Sequence, residues 1–260
     1  MKEMLYVVER DFRYFFRYKW WIAGMISMNL ADLLIMAVVY TNMVAQTITQ
    51  EYVSYFVFFA PGLTITALFA AAFMIGREIN MERRREVHHY MLSLPMTRLE
   101  LAIGRVLSGG LRGMMYMSPL LLTCFIFLGF PTLWQLLLIL AVLFLLAIGI
   151  SGLSIAIAVS TSSLEIFVTA RGLVYYTLFF CSSVFYPLVL IQSLGASGKF
   201  PMILVTLAEV NPLSGASDMI RSFLLPGYSF SYFSIFNVAI FSAVFTFGAA
   251  FAYMKILERK

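Results

Sequence analysis

Residues 133–159 read LWQLLLILAVLFLLAIGISGLSIAIAV, 27 residues without one charged side chain. As a helix rising about 1.5 Å per residue this run would measure about 40 Å, more than the roughly 30 Å hydrocarbon core of a bilayer. The rest of the chain agrees, since 62% of its 260 residues are hydrophobic and only 12% are charged. The fold class that follows is all-α and integral to a membrane. Water-soluble enzymes and nucleic-acid-binding proteins are excluded by the same arithmetic.

Outward from this run, five more apolar stretches reach the length a helix needs to cross: Trp20–Ala45, Tyr52–Gly76, Gly113–Phe130, Ile166–Ile191 and Phe230–Met254. With residues 133–159 they predict six transmembrane helices in a single transmembrane domain over 1–260. The first reads as a span and not as a cleaved signal, because nineteen residues carrying eight charges precede it. The net charge of +5 is topological. Five Lys and Arg lie before the first stretch, none between the first and second, seven from Arg77 to Arg112, and none between the third and fourth. Sixteen of the eighteen fall on one side, so both termini are expected to be cytoplasmic in a multi-pass protein of the cell membrane.

Three segments are not simple spans. Within residues 1–19, Met4, Leu5, Val8, Phe12, Phe15 and Phe16 fall on one arc of a helix, with Lys2, Glu9, Arg10, Arg13 and Arg17 opposite and Asp11 as a misfit at the apolar edge. This predicts an amphipathic helix lying on the inner membrane interface, against the plainer reading of a charged flank that only sets orientation. Residues 77–105 hold the basic cluster, with Glu82–Arg85 and Arg83–Glu86 spaced as helical pairs. The helix should stop before Pro95, and Thr97 with Glu100 makes a capping box that opens the next. Tyr90, Met91, Leu92 and Leu94 then sit on a short cytoplasmic helix, either meeting a partner protein or folding back on the membrane surface. In residues 200–227, Asn211-Pro212 separates two apolar segments too short to span, the second running through Leu213, Ala216, Ile220 and Leu224. They predict a re-entrant helical pair in the outer leaflet, with ordinary surface helices as the alternative.

The chain carries little chemistry of its own. Gly198-Lys199 is followed by Phe200, so there is no P-loop for ATP. His88 and His89, adjacent in the charged loop, are the only histidines, which leaves no set of metal ligands. Cys124 and Cys181 sit in apolar runs and read as small hydrophobes. Gly149-Ile150-Ser151-Gly152 resembles an intramembrane serine protease pattern, but the histidine it would need is missing and helix packing explains it. Gly109 with Gly113 and Gly248 with Ala252 also suit close helix approach. Asp32 is the one acid deep in a span. It lines a transport path, hydrogen-bonds alongside Asn29, or carries protons; lacking a second intramembrane carboxylate, proton coupling ranks last. Arg112 and Arg171, near helix ends, are expected to snorkel. The aromatics Tyr40, Tyr52, Tyr55, Phe56, Phe58 and Phe59 mark the second span's outer end as the preferred conduit.

The layout resembles the membrane permease subunits of type-2 ABC transporters over nearly the whole chain. The likeness rests on the amphipathic N-terminal helix, Phe59-Ala60-Pro61-Gly62-Leu63, Leu92-Ser93-Leu94-Pro95-Met96-Thr97-Arg98, and Asn211-Pro212-Leu213 followed by Arg221. Where members often carry Gly-Thr after the basic cluster, this chain has Glu86-Val87. The resemblance implies an exporter permease without enzymatic activity, paired with a second copy and with a separate ATPase subunit that binds ATP and Mg. Its coupling helix would include Glu86, His88, His89, Tyr90, Met91, Leu92, Leu94, Pro95 and Arg98. Its path for a drug-like or lipid substrate would run along the first, second and fifth spans past Asn29, Asp32, Tyr40, Tyr55, Phe56 and Phe59. No nucleic acid is implied, and lipid is the surrounding medium. The competing expectations are a polysaccharide or glycolipid exporter, an ion-coupled secondary transporter or membrane enzyme acting alone, and a membrane anchor.

Overall fold

The computed structural model describes residues 2–43, 55–87, 96–225, 227–229 and 231–258, and these contain helices and no strand. In chain order the helices are α1 (Lys2–Arg17), α2 (Lys19–Met43), α3 (Tyr55–Arg84), α4 (Arg98–Leu128), α5 (Leu133–Ser160), α6 (Leu164–Phe180), α7 (Leu188–Ala196), α8 (Met202–Val210), α9 (Pro212–Leu224) and α10 (Tyr232–Glu258). Four of them, α3, α4, α5 and α10, are long and apolar enough among the described residues to cross a membrane. α2 adds a shorter apolar stretch, Ile22–Ile35.

α3 is the centre of the bundle, packed against α4 and α5, while α10 lies along α5 and α1 rests on α4. α3 is buried on nearly every side, Ala67, Leu68, Phe69, Ala71, Ala72, Phe73 and Ile75 all lying in the core, as a helix apolar all round should be. Phe69 stacks on Phe73 at 5.0 Å and meets the edge of Phe179 from α6 at 5.2 Å. The α5–α10 seam depends on Gly149 and Gly152, as the packing reading of that run anticipates. A Cβ at Gly152 would stand 2.5 Å from the Phe245 carbonyl oxygen, whereas at Gly248 it would meet nothing within 4 Å. Gly248 therefore does not serve helix approach within the chain. Accordingly, Gly152→Val is expected to cost about 2 kcal/mol through forced separation of the two backbones, and Gly248→Val close to nothing. Thermal unfolding of the two detergent-purified variants checks the contrast.

Two predicted boundaries hold for the predicted reasons. At the start of α4, the Thr97 hydroxyl accepts from the Glu100 amide at 3.2 Å and Glu100 accepts from the Thr97 amide at 3.0 Å, a complete capping box. At α9, the Asn211 side chain accepts from the Leu213 amide at 2.9 Å, with Pro212 at the first helical position.

The fifth apolar stretch needs correction. Ile166–Ile191 is not one helix: α6 ends at Phe180, residues 181–187 form a loop, and Pro187 caps the start of α7. Three short helices, not two, therefore lie between α6 and α10, with α7 and α8 sharing a small core of Ile191, Val205 and Ala208.

Candidate functional site

Both ends of α3 are held by buried arginines from other helices. At its C-terminal end, Glu78 and Glu82 stand four residues apart and so share a face. Opposite them on α4, Arg105 and Arg112, seven apart, are fully buried. Arg112 pairs with Glu78 at 2.6 Å and donates to the Asp11 backbone carbonyl at 2.5 Å. Arg105 grips both Asp11 carboxylate oxygens, at 2.9 and 3.0 Å, and also pairs with Glu82. Arg10 bridges Asp11 at 2.8 Å and Glu82 at 3.3 Å. Three carboxylates thus balance three guanidiniums, which offsets part of the cost of burying them, while the Nε groups of Arg105 and Arg112 have no partner among the described residues. Burial alone would raise the Asp11 carboxyl, but Arg105, Arg10 and Arg112 outweigh it and hold it below its ordinary value of 3.8.

The last turn of α3 is tied to α5 as well. Arg83 donates to the carbonyls of Val159 at 3.1 Å and Thr161 at 3.0 Å, the groups a helix end leaves unpaired. The expected pairs Glu82–Arg85 and Arg83–Glu86 do not form, because Glu82 and Arg83 are taken by these partners in other helices. Glu86 adopts a left-handed φ of 56° just past the end of α3.

At the other end of α3, Arg221 of α9 is fully buried with every guanidinium nitrogen engaged. Its Nε donates to the Phe58 carbonyl at 3.0 Å, Nη2 to the Val184 carbonyl at 2.9 Å, and Nη1 to the Ser183 carbonyl at 2.7 Å, the Ser217 hydroxyl at 3.3 Å and Asp218 at 2.8 Å. The guanidinium carbon lies 3.6 Å from the Phe58 ring centroid. Asp218 Oδ1 also accepts from Ser183 at 2.9 Å and Tyr228 at 2.8 Å. Asn211 completes the clamp, its amide donating to Leu178 at 2.8 Å and Cys181 at 2.6 Å at the open end of α6. Gly62 explains part of the Phe59-Ala60-Pro61-Gly62-Leu63 run: a Cβ there would collide with the Val184 carbonyl oxygen. The run is the seat on which the α6–α7 loop rests.

With this arrangement in hand, residues 2–225 match the sequence model of the family described as ABC-2 type transporter. The chain belongs to the ABC-2 type transporter family. No curated protein matches it. It is the membrane permease of an ABC transporter, a multi-pass component and not a catalytic domain, of a family that pairs with an ABC ATPase subunit.

The permease distributes the predicted site residues unevenly. Of the coupling set, Glu86 is exposed beyond α3 and Arg98 opens α4, also exposed. His88, His89, Tyr90, Met91, Leu92, Leu94 and Pro95 lie outside the described residues. Of the pathway set, Asn29 donates to the Tyr116 hydroxyl at 2.7 Å and to the Met25 carbonyl at 2.8 Å, and Asp32 is half-buried on α2. Phe59 is buried and stacks on Phe185 at 5.9 Å. Tyr40, Tyr55 and Phe56 belong to the α2 and α3 backbones, with side chains outside the described set. Arg112 does not snorkel, since its charge is neutralised in place by Glu78. Half-buried Arg171 lies 5.9 Å from the Phe73 ring centroid.

Sequence reasoning missed Asp11, Glu78, Glu82 and Arg105 as one network, and Asp218 and Tyr228 as partners of Arg221. The usable signal was spacing: acids four apart on α3, arginines seven apart on α4, and an aspartate set among apolar residues on α1.

Proposed function

We propose that two copies of the permease, or this chain and a close relative, form the translocation path of an ATP-driven exporter for hydrophobic or amphipathic molecules. A separate ATPase subunit, binding ATP and Mg, docks on the segment from Glu86 to Arg98. Six crossings put α2 and α6 beside the four long apolar helices, with both termini cytoplasmic as the distribution of Lys and Arg requires. The path runs along α2, α3 and α6, where Asn29, Asp32 and the aromatics of α3 lie.

One observation carries the coupling part of this reading: both flanks of the docking segment are rigidly pinned. α3 ends with Arg83 bound to the carbonyls of α5, and α4 begins in a complete capping box. A force applied between them reaches α3, α4 and α1 together through the Asp11–Arg105–Glu82 and Arg112–Glu78 pairs. The apolar residues Tyr90, Met91, Leu92 and Leu94 supply the surface a partner would bury, and the chain carries no P-loop of its own.

Leu92→Asp tests it. A carboxylate buried at that interface should weaken co-purification with the ATPase subunit by about tenfold or more and return substrate-stimulated ATP hydrolysis to its basal rate. If no ATPase subunit associates with the wild-type chain, the coupling reading is wrong.

A further inference from the structure

The C-terminal half of α3 and the neighbouring face of α1 line an open cavity of about 400 Å³ whose walls include Tyr14, Tyr18, Arg77 and Arg85. Its apolar lining comes from Phe15, Met74 and Met81. A second cavity of about 260 Å³ adjoins it and shares Tyr14, Met81 and Arg85. Glu78 also lines both, but its charge is already spent on Arg112 at 2.6 Å. Arg77 and Arg85 differ from the arginines behind them. Arg10, Arg83, Arg105 and Arg112 are consumed by carboxylates or carbonyls, whereas the Arg77 and Arg85 side chains are exposed and make no ion pair or hydrogen bond among the described residues. The Tyr14 and Tyr18 rings meet edge-on at 5.5 Å, and both line the cavity together with Arg77 and Arg85.

We propose that this cavity binds the phosphate headgroup of an anionic phospholipid from the inner leaflet. Two guanidiniums supply planar forks for phosphate oxygens, the phenols add donors, and the Phe15–Met74–Met81 surface accepts the glycerol and first methylenes. The depth is right for a lipid: Trp20, almost wholly exposed, and Tyr18 lie where α1 turns into α2, at the level where aromatic residues meet headgroups. Leu5 and Phe16, exposed on α1, are the apolar surface that would hold this helix at the same level. The bound lipid would sit between α1 and α3, beside the Asp11 network. The inference rests on the orientation given above, in which this end faces the cytoplasm.

The full-length permease, purified into detergent micelles doped with phosphatidylglycerol or phosphatidylcholine, tests it by native mass spectrometry. Wild type should retain phosphatidylglycerol in about tenfold preference, and the double variant Arg77→Gln/Arg85→Gln should bring the ratio near one. Because neither side chain has a partner in the described structure, the fold should survive. Arg17→Gln/Lys19→Gln, which removes two exposed cations outside the cavity, should keep the preference. The proposal is overturned if the first double variant keeps the ratio, if the second lowers it equally, which would mean diffuse surface charge, or if millimolar inorganic phosphate displaces the lipid, which would mean a free-anion site. Retention is measured without an ATPase, so a negative result bears on this cavity alone. Failure of the ATPase subunit to associate would bear only on the coupling reading.

Discussion

Replacing Arg221 with methionine is expected to destabilise the permease by about 3–5 kcal/mol, the range for removing one partner of a buried ion pair. Methionine fills much of the volume, so the loss is one of charge and donors. Asp218 would keep only its hydrogen bonds from Ser183 and Tyr228, and the carbonyls of Ser183 and Val184 would stand in an irregular loop without the donors they now share. Buried backbone acceptors of that kind are costly because no water reaches them. Arg221→Lys should fall between, since an ammonium has three donors where the guanidinium now makes five bonds to three elements. Removing both members, as Arg221→Met/Asp218→Leu, should recover part of the loss, because the stranded carboxylate goes too. Thermal unfolding in a single detergent reads all three. A single variant that melts with the wild type would show that the clamp contributes nothing.

The clamp also shows where sequence reading stops. Long uniform signals are legible: the uncharged run at 133–159, the Thr97–Glu100 box and the Asn211-Pro212 start each correspond to an element with the expected cause. The break after Phe180 is not, because residues 176–191 are mostly apolar and Cys181-Ser182-Ser183 is a weak interruption. What makes the break tolerable is an arginine 38 residues beyond Ser183, whose donors replace lost helical bonds, and no local pattern reports that. The N-terminal helix misleads in a related way. The predicted apolar arc is displaced from the face that packs: of its six residues only Phe15 is fully buried, joined by Val7 and Asp11 from beyond the arc, while Leu5 and Phe16 stay exposed. In the sequence Asp11 looks like a defect in a membrane-facing surface, because its partners, Arg105 and Arg112, lie about a hundred residues away. For the same reason position alone sends Arg112 toward water, when a carboxylate already stands beside it. Charge on helices of a membrane protein is therefore best read as pairs between helices that each gather like charges on one face, Glu78 and Glu82 against Arg105 and Arg112.

Asp11→Asn is the second substitution with a large expected effect, about 3 kcal/mol, because it removes the carboxylate held by the buried Arg105 and by Arg10. Glu82 still faces both arginines, which keeps the cost at the lower end of the range for breaking a buried pair. The helix released is α1, whose other anchors are the apolar contacts of Val7 and Phe15 and the Arg112 bond to its backbone. Limited trypsin digestion should therefore cut at Arg10 and Arg13 several times faster in the variant than in the wild type, with cleavage elsewhere unchanged. Acid should do the same to the wild type, but only strong acid. The carboxyl's folded value is depressed, so its contribution is complete above the ordinary value of 3.8 and is lost as pH falls through the lower folded value. At about pH 5 the wild-type helix should remain docked while the Asp11→Asn variant has already released it, since an amide has no charge to lose. Detachment of the wild type at that pH would mean that Arg105 and Arg10 do not hold the carboxylate as the geometry requires. Equal trypsin sensitivity of the two proteins at neutral pH would mean that the apolar contacts alone dock α1, and that the Asp11–Arg105–Glu82 bridge transmits nothing from the end of α3.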